Sequence, residues 1–209
     1  SPLTGTIKES NTGGSSSQML AKMGIKAFVI EGKPSDDKFY VIKLDMNGVT
    51  IEPAPAEILG GCGNYDAIRI LGEKYGSHVG IAIIGPAGEH RLPSANISFK
   101  DPEGNIRSAG RGGLGAVLGS KNVKAIIIDE TGASKVPVAD PEAFAAASKV
   151  FAKALLDHPV AGQGLALYGT DVLVNIINEA GGLPANNFTG GRIDHNDNFS
   201  GETLNATIT

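Results

Sequence analysis

Two stretches of the sequence match without a gap: residues 10–32 read SNTGGSSSQMLAKMGIKAFVIEG, and residues 108–130 read SAGRGGLGAVLGSKNVKAIIIDE. Each begins with a Gly-rich loop, continues with a short helical segment and ends in a β-branched run typical of a strand. The six identical pairs are Ser10/Ser108, Gly14/Gly112, Leu20/Leu118, Lys26/Lys124, Ala27/Ala125 and Ile30/Ile128. We therefore expect a duplicated loop–helix–strand unit whose copies are related by an approximate two-fold axis.

The two loops have the chemistry of an anion-binding site. Glycines let the backbone turn its N–H groups outward, and the start of the following helix carries a positive partial charge. Arg107 and Arg111 lie in the second loop. Each guanidinium group can donate two hydrogen bonds to the oxygens of one phosphate. Gly-rich turns before helices also occur where nothing binds, so a purely structural role stays open at this point.

Neither loop matches a common nucleotide-binding pattern. A dinucleotide fingerprint follows a strand, whereas residues 101–105, just before Arg107, form a polar turn sequence. Residues 115–121 lack the order of Gly, Lys and Ser or Thr that defines a Walker loop. Phosphate binding without nucleotide hydrolysis is the expectation that remains.

The first part of the chain reads as an α+β domain. Short runs rich in Ile and Val predict strands at Ala27–Glu31, Phe39–Leu44, Val49–Glu52, Gly80–Ile84 and Ala125–Asp129. Asn47-Gly48 lies between two of these runs and predicts a β-hairpin.

Helical signals dominate after Val136-Pro137. Asp140 is placed as an N-cap, Pro141 as the first helical residue, and an Ala-rich stretch continues to Leu156. Residues 170–179 have helical spacing before Gly181-Gly182, and Ser200 is placed to cap one more helix. We expect a first domain at residues 1–135 and an incomplete helical second domain at residues 136–209.

Composition excludes several classes of protein. The net charge is −4 and the basic residues do not cluster, which argues against nucleic-acid binding. Apolar runs such as residues 80–84 and 125–128 are much shorter than the roughly 20 residues that cross a bilayer, so no membrane partner is expected.

The single cysteine, Cys62, cannot form an internal disulfide and favours a cytoplasmic location. The sequence begins at Ser1 without Met or a leader pattern, which predicts a piece of a longer protein.

Several polar residues are poor candidates for a site. The four histidines lack metal-ligand spacing, and the acidic residues near the end of the chain lack the order of a calcium loop. Glu89 could act as a general base, but a carboxylate beside a glycine turn more commonly caps backbone donors. Cys62 lies among glycines with no cation nearby, which favours an unreactive, half-buried thiol.

Five segments together resemble the aldehyde:ferredoxin oxidoreductase family. They are residues 1–5 (SPLTG), 10–14 (SNTGG), 84–89 (IGPAGE), 109–121 (AGRGGLGAVLGSK) and 182–188 (GLPANNF), and their order and approximate spacing also match. The resemblance spans almost the whole chain. His90 and the Ile58-Leu59-Gly60 step depart from the common family pattern, and Ser108 replaces a frequent alanine.

The resemblance implies a cofactor-cradling first domain. In this family a base of two β-sheets supports a tungsten bis-pterin, and a magnesium ion bridges the two pterin phosphates. The positions that match imply that Asn11 and Ser108 offer backbone carbonyls to magnesium, that the Gly13 loop donates N–H groups to phosphate, and that Arg107 lies between the pterin and a 4Fe-4S cluster. The implied cofactor-binding residues are Asn11, Gly13, Gly14, Arg107, Ser108, Ala109, Gly110 and Arg111.

The resemblance also implies what this chain lacks. The family's cluster ligands form a run of cysteines that has no counterpart here, so no residue of this chain is assigned a catalytic role. The implied activity is interconversion of aldehydes and carboxylic acids with ferredoxin or a similar electron carrier, and the isolated piece is expected to be inactive, without bound cofactor. A homodimer is a further expectation. Two alternatives stay open: a non-enzymatic phosphate- or nucleotide-binding module, and, within the family, an aromatic acyl-thioester reductase subunit.

Overall fold

The computed structural model describes residues 5–208. The backbone divides into two compact units, and the division lies between Pro137 and Val138. Each unit is described by itself below. The assignment of residues 1–135 to a pterin-cradling domain and of residues 136–209 to an incomplete helical domain stays a prediction.

The first unit is built on a mixed six-stranded sheet with the order β2-β1-β6-β3-β4-β5. Its strands are β1 (Tyr40–Asp45), β2 (Gly48–Pro53), β3 (Gly80–Ile83), β4 (Ile97–Lys100), β5 (Ile106–Ala109) and β6 (Val123–Ile128). Only the β1–β6 pair is parallel among these neighbours. The central strand β6 is buried along its whole length, as expected for a strand covered on both faces.

Helices cover both faces of this sheet. The helices of the first unit are α1 (Ser16–Lys22), α2 (Asn64–Tyr75), α3 (Pro86–Glu89) and α4 (Leu114–Ser120), with a 3-10 turn at Ala56–Ile58. α2 packs Ile68 and Leu71 into one apolar core together with Ile81 and Ile127 of the sheet. On the other face, Met19 of α1 and Leu118 of α4 join a second core. The fold is therefore α+β, as the sequence predicts.

Most of the sequence-predicted strands are confirmed, with small shifts at their ends. β1, β2, β3 and β6 lie at the predicted positions, and the Asn47-Gly48 signal corresponds to an antiparallel hairpin in which Asp45 pairs with Gly48. β4 and β5 were not predicted. They form a hairpin around residues 101–105, so Arg107 and Ser108 lie in an edge strand and not in the second loop.

The predicted strand at Ala27–Glu31 is wrong. The segment has no strand partner among the described residues, and a strand exists only where a neighbour completes its hydrogen-bond ladder. Val29 is 80% exposed there. The first copy of the repeat thus shares loop and helix with the second but not the strand. The two-sheet base also needs correction, because the described residues form one six-stranded sheet.

The second unit is helical. Its helices are α5 (Pro141–Asp157), α6 (Leu165–Tyr168), α7 (Leu173–Glu179) and α8 (Gly201–Ile208), with a π-helical turn at Pro159–Gly164 and 3-10 turns at Gly169–Val172 and Asn196–Phe199. The predicted caps are confirmed: the Asp140 carboxylate accepts the Ala143 N–H at 3.0 Å, and the Ser200 hydroxyl accepts the Thr203 N–H at 3.3 Å. Asn178 fixes the polar segment that follows α7 by accepting the Ile193 N–H at 2.8 Å.

One helical stretch of this unit, Pro159–Glu179, is long and apolar enough to cross a membrane by length and composition, with a mean hydropathy of 1.3. The individual apolar runs considered in the sequence did not indicate it. The stretch changes helix type three times and contains Gly169 with a positive φ of 62°. The most apolar 18-residue window of this stretch is not buried in the structure, but a single helix of this kind is weak evidence for a membrane span, because core helices of soluble proteins meet the same criterion.

Candidate functional site

The two Gly-rich loops meet at one place in the first unit. The backbone N–H of Arg111 donates a hydrogen bond to the Ser10 hydroxyl at 3.0 Å, across 101 positions of sequence. The loops enclose a cleft of about 490 Å³ lined by Lys8, Glu9, Ser10, Asn11, Ser108, Gly110 and Arg111. The matched residues Ser10 and Ser108 both line this cleft. The expectation that the loops lie on one side of the domain, close enough to share a ligand, agrees with this geometry.

The first loop is anchored on the sheet by Gly14. Its φ is +119°, which side chains rarely allow, and an added Cβ would lie 3.1 Å from the Lys100 carbonyl oxygen. Glycine is therefore required for the loop to rest on β4. Gly13 differs, because its φ is not positive and an added Cβ would meet nothing within 4 Å. The open space at Gly13 is available to a ligand.

The second loop continues into a helix whose glycines serve packing. Added Cβ atoms at Gly113, Gly115 and Gly119 would lie 2.0, 2.2 and 1.9 Å from backbone carbonyl oxygens of Pro93, Asn96 and Gly88. These positions bring α4 into backbone contact with α3 and with the turn that follows it. From the sequence, this Gly-rich run was expected to turn its N–H groups outward. That role is therefore open only to the residues before Gly113, because the later glycines are needed for packing.

Arg107 lies on β5 and is held from one side. Its Nε donates to the Asp101 carboxylate at 3.0 Å, while its side chain stays 57% exposed. Burial by itself raises the pKa of Asp101, but hydrogen bonds from the Asn105 backbone and from Arg107 outweigh it, so this pKa lies below the ordinary aspartate value. Asp101 is thus a carboxylate group at neutral pH.

The predicted site residues divide into two groups. Asn11, Ser108, Gly110 and Arg111 line the cleft, whereas Gly13, Gly14, Arg107 and Ala109 do not. Ala109, the last residue of the edge strand β5, is buried, with 3% of its surface exposed. Their roles toward a cofactor stay predictions, because no observation tests them.

The cleft also contains two residues that the sequence did not single out, Lys8 and Glu9. The Lys8 stem lies across Gly112, where an added Cβ would come within 2.3 Å of the lysine Cγ. Gly112 has a φ of +75°, and only the three-dimensional structure shows that it lies opposite Lys8. Ser10, in contrast, was found from the sequence through the Ser10/Ser108 identity of the repeat and the family-like segment at residues 10–14.

The residues present fit phosphate and magnesium chemistry. Lys8 and Arg111 bring two positive charges to the cleft and Glu9 brings one negative charge, so the lining stays net positive, and cations bind phosphate oxygens. Backbone carbonyls are the hard oxygen ligands that magnesium accepts alongside water. α1 and α4 are seven residues long, so side chains and loop N–H groups, rather than a long helix dipole, provide the attraction. No cluster of three or more His, Cys, Asp or Glu residues suited to a metal occurs within residues 5–208.

Glu89 forms a buried ion pair outside this cleft. It lies 2.5 Å from Nζ of Lys124, which is fully buried and also donates to the Ile84 carbonyl at 2.7 Å. The second carboxylate oxygen of Glu89 accepts the Gly60 N–H at 3.1 Å. The carboxylate thus fixes the backbone, in keeping with the capping role expected from the sequence. His158 likewise accepts the Val160 and Ala161 N–H groups at the end of α5.

A second cavity, also about 490 Å³, lies between α1 and α4 and is mainly apolar. Leu20, Phe28, Ile97 and Leu118 are among its lining residues. It contains none of the predicted site residues. The predicted site residues that line a cavity therefore lie in the cleft between the two loops.

Comparison with protein families identifies the chain. Residues 1–130 match the model of the aldehyde ferredoxin oxidoreductase N-terminal domain, and residues 146–209 match that of domains 2 and 3 of the same enzymes. The chain belongs to the aldehyde ferredoxin oxidoreductase family. The family is one of oxidoreductases, which supports the enzyme interpretation over the alternative of a non-enzymatic binding module.

Named relatives extend this result. The chain is 42% identical over 207 residues to the tungsten-containing aldehyde ferredoxin oxidoreductase of Pyrococcus horikoshii, and 41% identical to that of Pyrococcus furiosus. The Thermococcus kodakarensis protein of the same name is 40% identical. Each match covers 99% of this chain but 32 to 33% of the relative. The chain thus spans about a third of the length of these relatives.

A solved structure shares the fold. It is described as the active site complex BamBC of benzoyl coenzyme A reductase in complex with 1,5-dienoyl-CoA. The TM-score is 0.61 at 24% identity, with 79% of this chain and 26% of that chain covered. At this identity the likeness shows a common fold and does not distinguish between aldehyde and thioester substrates.

Proposed function

We propose that this chain is the cofactor-holding part of a tungsten-dependent oxidoreductase that interconverts aldehydes and carboxylic acids and exchanges electrons with a ferredoxin-type carrier. The observation that carries the proposal is the meeting of the two loops around one cationic cleft, where Arg111 donates its N–H to Ser10. Identity of 40 to 42% to tungsten-containing aldehyde ferredoxin oxidoreductases over nearly the whole chain supports the choice of cofactor and reaction.

The proposed role of this chain's residues is to bind and orient the cofactor. Lys8 and Arg111 neutralise phosphate charge, and the carbonyls of Asn11 and Ser108 are the proposed ligands of a magnesium ion between two phosphates. The N–H groups around Gly13 are proposed to contact phosphate through the space left open there. When bound, a tungsten bis-pterin supplies the two-electron change at the metal, and a 4Fe-4S cluster passes electrons on singly. We propose a cytoplasmic location for the enzyme.

Arg111 provides a direct test of this function. Arg111→Gln removes a cleft charge from an exposed side chain, so we expect several-fold less tungsten per full-length chain and an unchanged melting temperature of the cofactor-free protein. Arg69→Gln is the matched control, since Arg69 is 60% exposed on α2 and forms a surface pair with Glu73. Metal analysis by mass spectrometry gives the tungsten content. Full tungsten loading in Arg111→Gln, or an equal loss in Arg69→Gln, would argue against the cleft as the phosphate site.

A further inference from the structure

Asp101 and Arg107 form an asymmetric ion pair at the edge of the sheet. The Asp101 residue is 3% exposed, whereas the Arg107 side chain is 57% exposed. Asp101 Oδ1 accepts the Asn105 N–H at 2.7 Å, and Asp101 Oδ2 accepts Arg107 Nε–H at 3.0 Å. A fixed, buried carboxylate thus holds one end of an exposed cation.

The turn between β4 and β5 is closed without this ion pair. The Asp101 N–H donates to the Asn105 carbonyl at 2.9 Å, and the Gly104 N–H donates to the Asp101 carbonyl at 3.1 Å. Lys100 pairs with Ile106 where the two strands meet. The contact between Asp101 Oδ2 and Arg107 Nε is therefore additional to what the hairpin needs.

The contact leaves a defined part of the guanidinium free. A guanidinium has an Nε edge and an Nη edge, and the carboxylate occupies the Nε side. Arg107 on β5 is paired across the strands with Phe99 on β4. Gly14 of the first loop lies near the Phe99 Cβ. Directly paired residues point to the same face of a sheet, so Arg107 lies on the face over which the first loop rests.

We propose that Asp101 is a positioning residue for Arg107. Its carboxylate fixes the Nε side of the guanidinium, so that the Nη groups are already oriented toward an anionic pterin cofactor before binding. An unrestrained arginine loses much rotamer freedom when it binds, and a side chain restrained in advance loses less. This inference rests on the proposed function. Arg107 lies outside the cleft that the two loops enclose, but on the sheet face over which the first loop rests, and we propose that the bound cofactor extends over that face.

A double-mutant cycle in the cofactor-containing full-length protein tests this role. The four proteins are the parent, Asp101→Asn, Arg107→Ala and the double variant. Asn at position 101 keeps an acceptor for the Asn105 N–H but turns an amide donor toward Arg107 Nε. We expect tungsten to be released about tenfold faster from Arg107→Ala and about three- to tenfold faster from Asp101→Asn, in line with loss of charge-assisted contacts. The double variant should release tungsten no faster than Arg107→Ala.

The control variant is Asp129→Asn. Asp129 lies just after β6, accepts the Thr131 N–H at 3.1 Å and faces Lys43 at 3.5 Å, away from Arg107. It should lower the melting temperature without changing tungsten release. A release rate for Asp101→Asn equal to that of the parent, an additive double variant, or an equal effect of Asp129→Asn would each overturn the positioning role.

A second measurement separates this inference from the proposed function. If the parent contains no tungsten, the proposed function fails, and calorimetric titration of cofactor-free full-length protein with inorganic phosphate then decides the role of Asp101. If Asp101 positions Arg107, Asp101→Asn should weaken phosphate binding in the protein that has Arg107. In the protein with Arg107→Ala, the same change at Asp101 should leave phosphate binding unchanged. Equal phosphate affinity in parent and Asp101→Asn would overturn it.

Discussion

Gly13 and Gly14 are neighbours in the sequence, but the structure gives them different roles. Gly14 has φ of +119° and lies against the Lys100 carbonyl, whereas an added Cβ at Gly13 meets open space. Gly14 is therefore needed for the fold. Gly13 is proposed to be needed only when a phosphate group approaches the loop.

Alanine at these two positions should separate stability from cofactor binding. Gly14→Ala should cost about 1–3 kcal/mol because it forces a side chain into a rarely populated backbone region. Gly13→Ala should change the free energy of unfolding of the cofactor-free protein by less than about 0.5 kcal/mol, as for an exposed site, yet lower the tungsten content of the full-length protein. Urea denaturation and metal analysis measure the two effects. Unchanged tungsten in Gly13→Ala would show that no close approach occurs there.

Loss of the buried Glu89–Lys124 ion pair should lower the free energy of unfolding by more than either glycine substitution. Lys124 is fully buried, and Glu89 is its counter-charge. Glu89→Ala should destabilise the protein by about 3–5 kcal/mol because it leaves a buried cation unpaired. Glu73→Ala, which breaks an exposed i,i+4 pair with Arg69, should cost about 0.3–0.5 kcal/mol. Comparable urea midpoints for the two variants would contradict the importance of the buried pair.

At the scale of elements, α4 is placed by its glycines. Gly115 N–H donates to the Ala95 carbonyl at 2.9 Å, and Gly119 packs so that an added Cβ would lie 1.9 Å from the Gly88 carbonyl oxygen. Such a contact cannot be relieved by rotating a side chain, because the obstacle is backbone. The position of α4 in turn fixes where the second loop meets the first.

A pair of alanine variants tests this packing. Gly119→Ala should destabilise by at least about 3 kcal/mol, at or above the usual range for overpacking, since α4 must move away from α3. Gly110→Ala is the control, because its nearest neighbour would be the Ser108 carbonyl oxygen at 4.0 Å. Differential scanning fluorimetry compares the two. A melting temperature for Gly119→Ala equal to that of the control would mean that α4 is not held by this contact.

The sheet shows where elements could be predicted and where they could not. β1, β2, β3 and β6 are Ile- and Val-rich runs with clear turn signals, and all four were found from the sequence. β4 and β5 are four residues each, and β5 contains Arg107 and Ser108. Polar residues on an edge strand do not give a strand pattern. The turn sequence Asp101-Pro102-Glu103-Gly104 suits a type I turn and was the signal that could have revealed this hairpin.

The opposite error occurred at Ala27–Glu31. Its apolar, β-branched sequence favours a strand, but no described strand pairs with it. Strand formation depends on a neighbour, which local sequence does not specify. The gapless repeat therefore predicted the matching loops and helices correctly and the matching strand incorrectly.

At the scale of the whole molecule, the two loops that meet at the candidate site could be found from the sequence. The two loops were found from their glycines and from the repeat, and the structure brings them to one cleft. Lys8 and Glu9 were missed because their place beside the second loop depends on tertiary packing across Gly112. The glycines of α4 were misinterpreted for the same reason, since close backbone approach is invisible in sequence.

The second unit contributes a different kind of surface. None of the α5 residues is buried, and Phe144, Val150, Phe151 and Leu156 are each at least 60% exposed. Helix α5 thus presents an exposed apolar face. The homodimer, the ferredoxin-type carrier and the aldehyde substrate remain proposals, because the chain spans about a third of its relatives.

The most direct measurement is the cofactor content of the full-length protein, purified without oxygen from cells supplied with tungstate. The proposed function predicts about one tungsten and two pterins per chain, and loss of most of both when the two cleft cations are removed together in Lys8→Gln/Arg111→Gln. The melting temperature of the cofactor-free protein should not change in that variant. A well-folded parent without tungsten or pterin, or a double variant that keeps both in full, would contradict a cofactor held by the two loops.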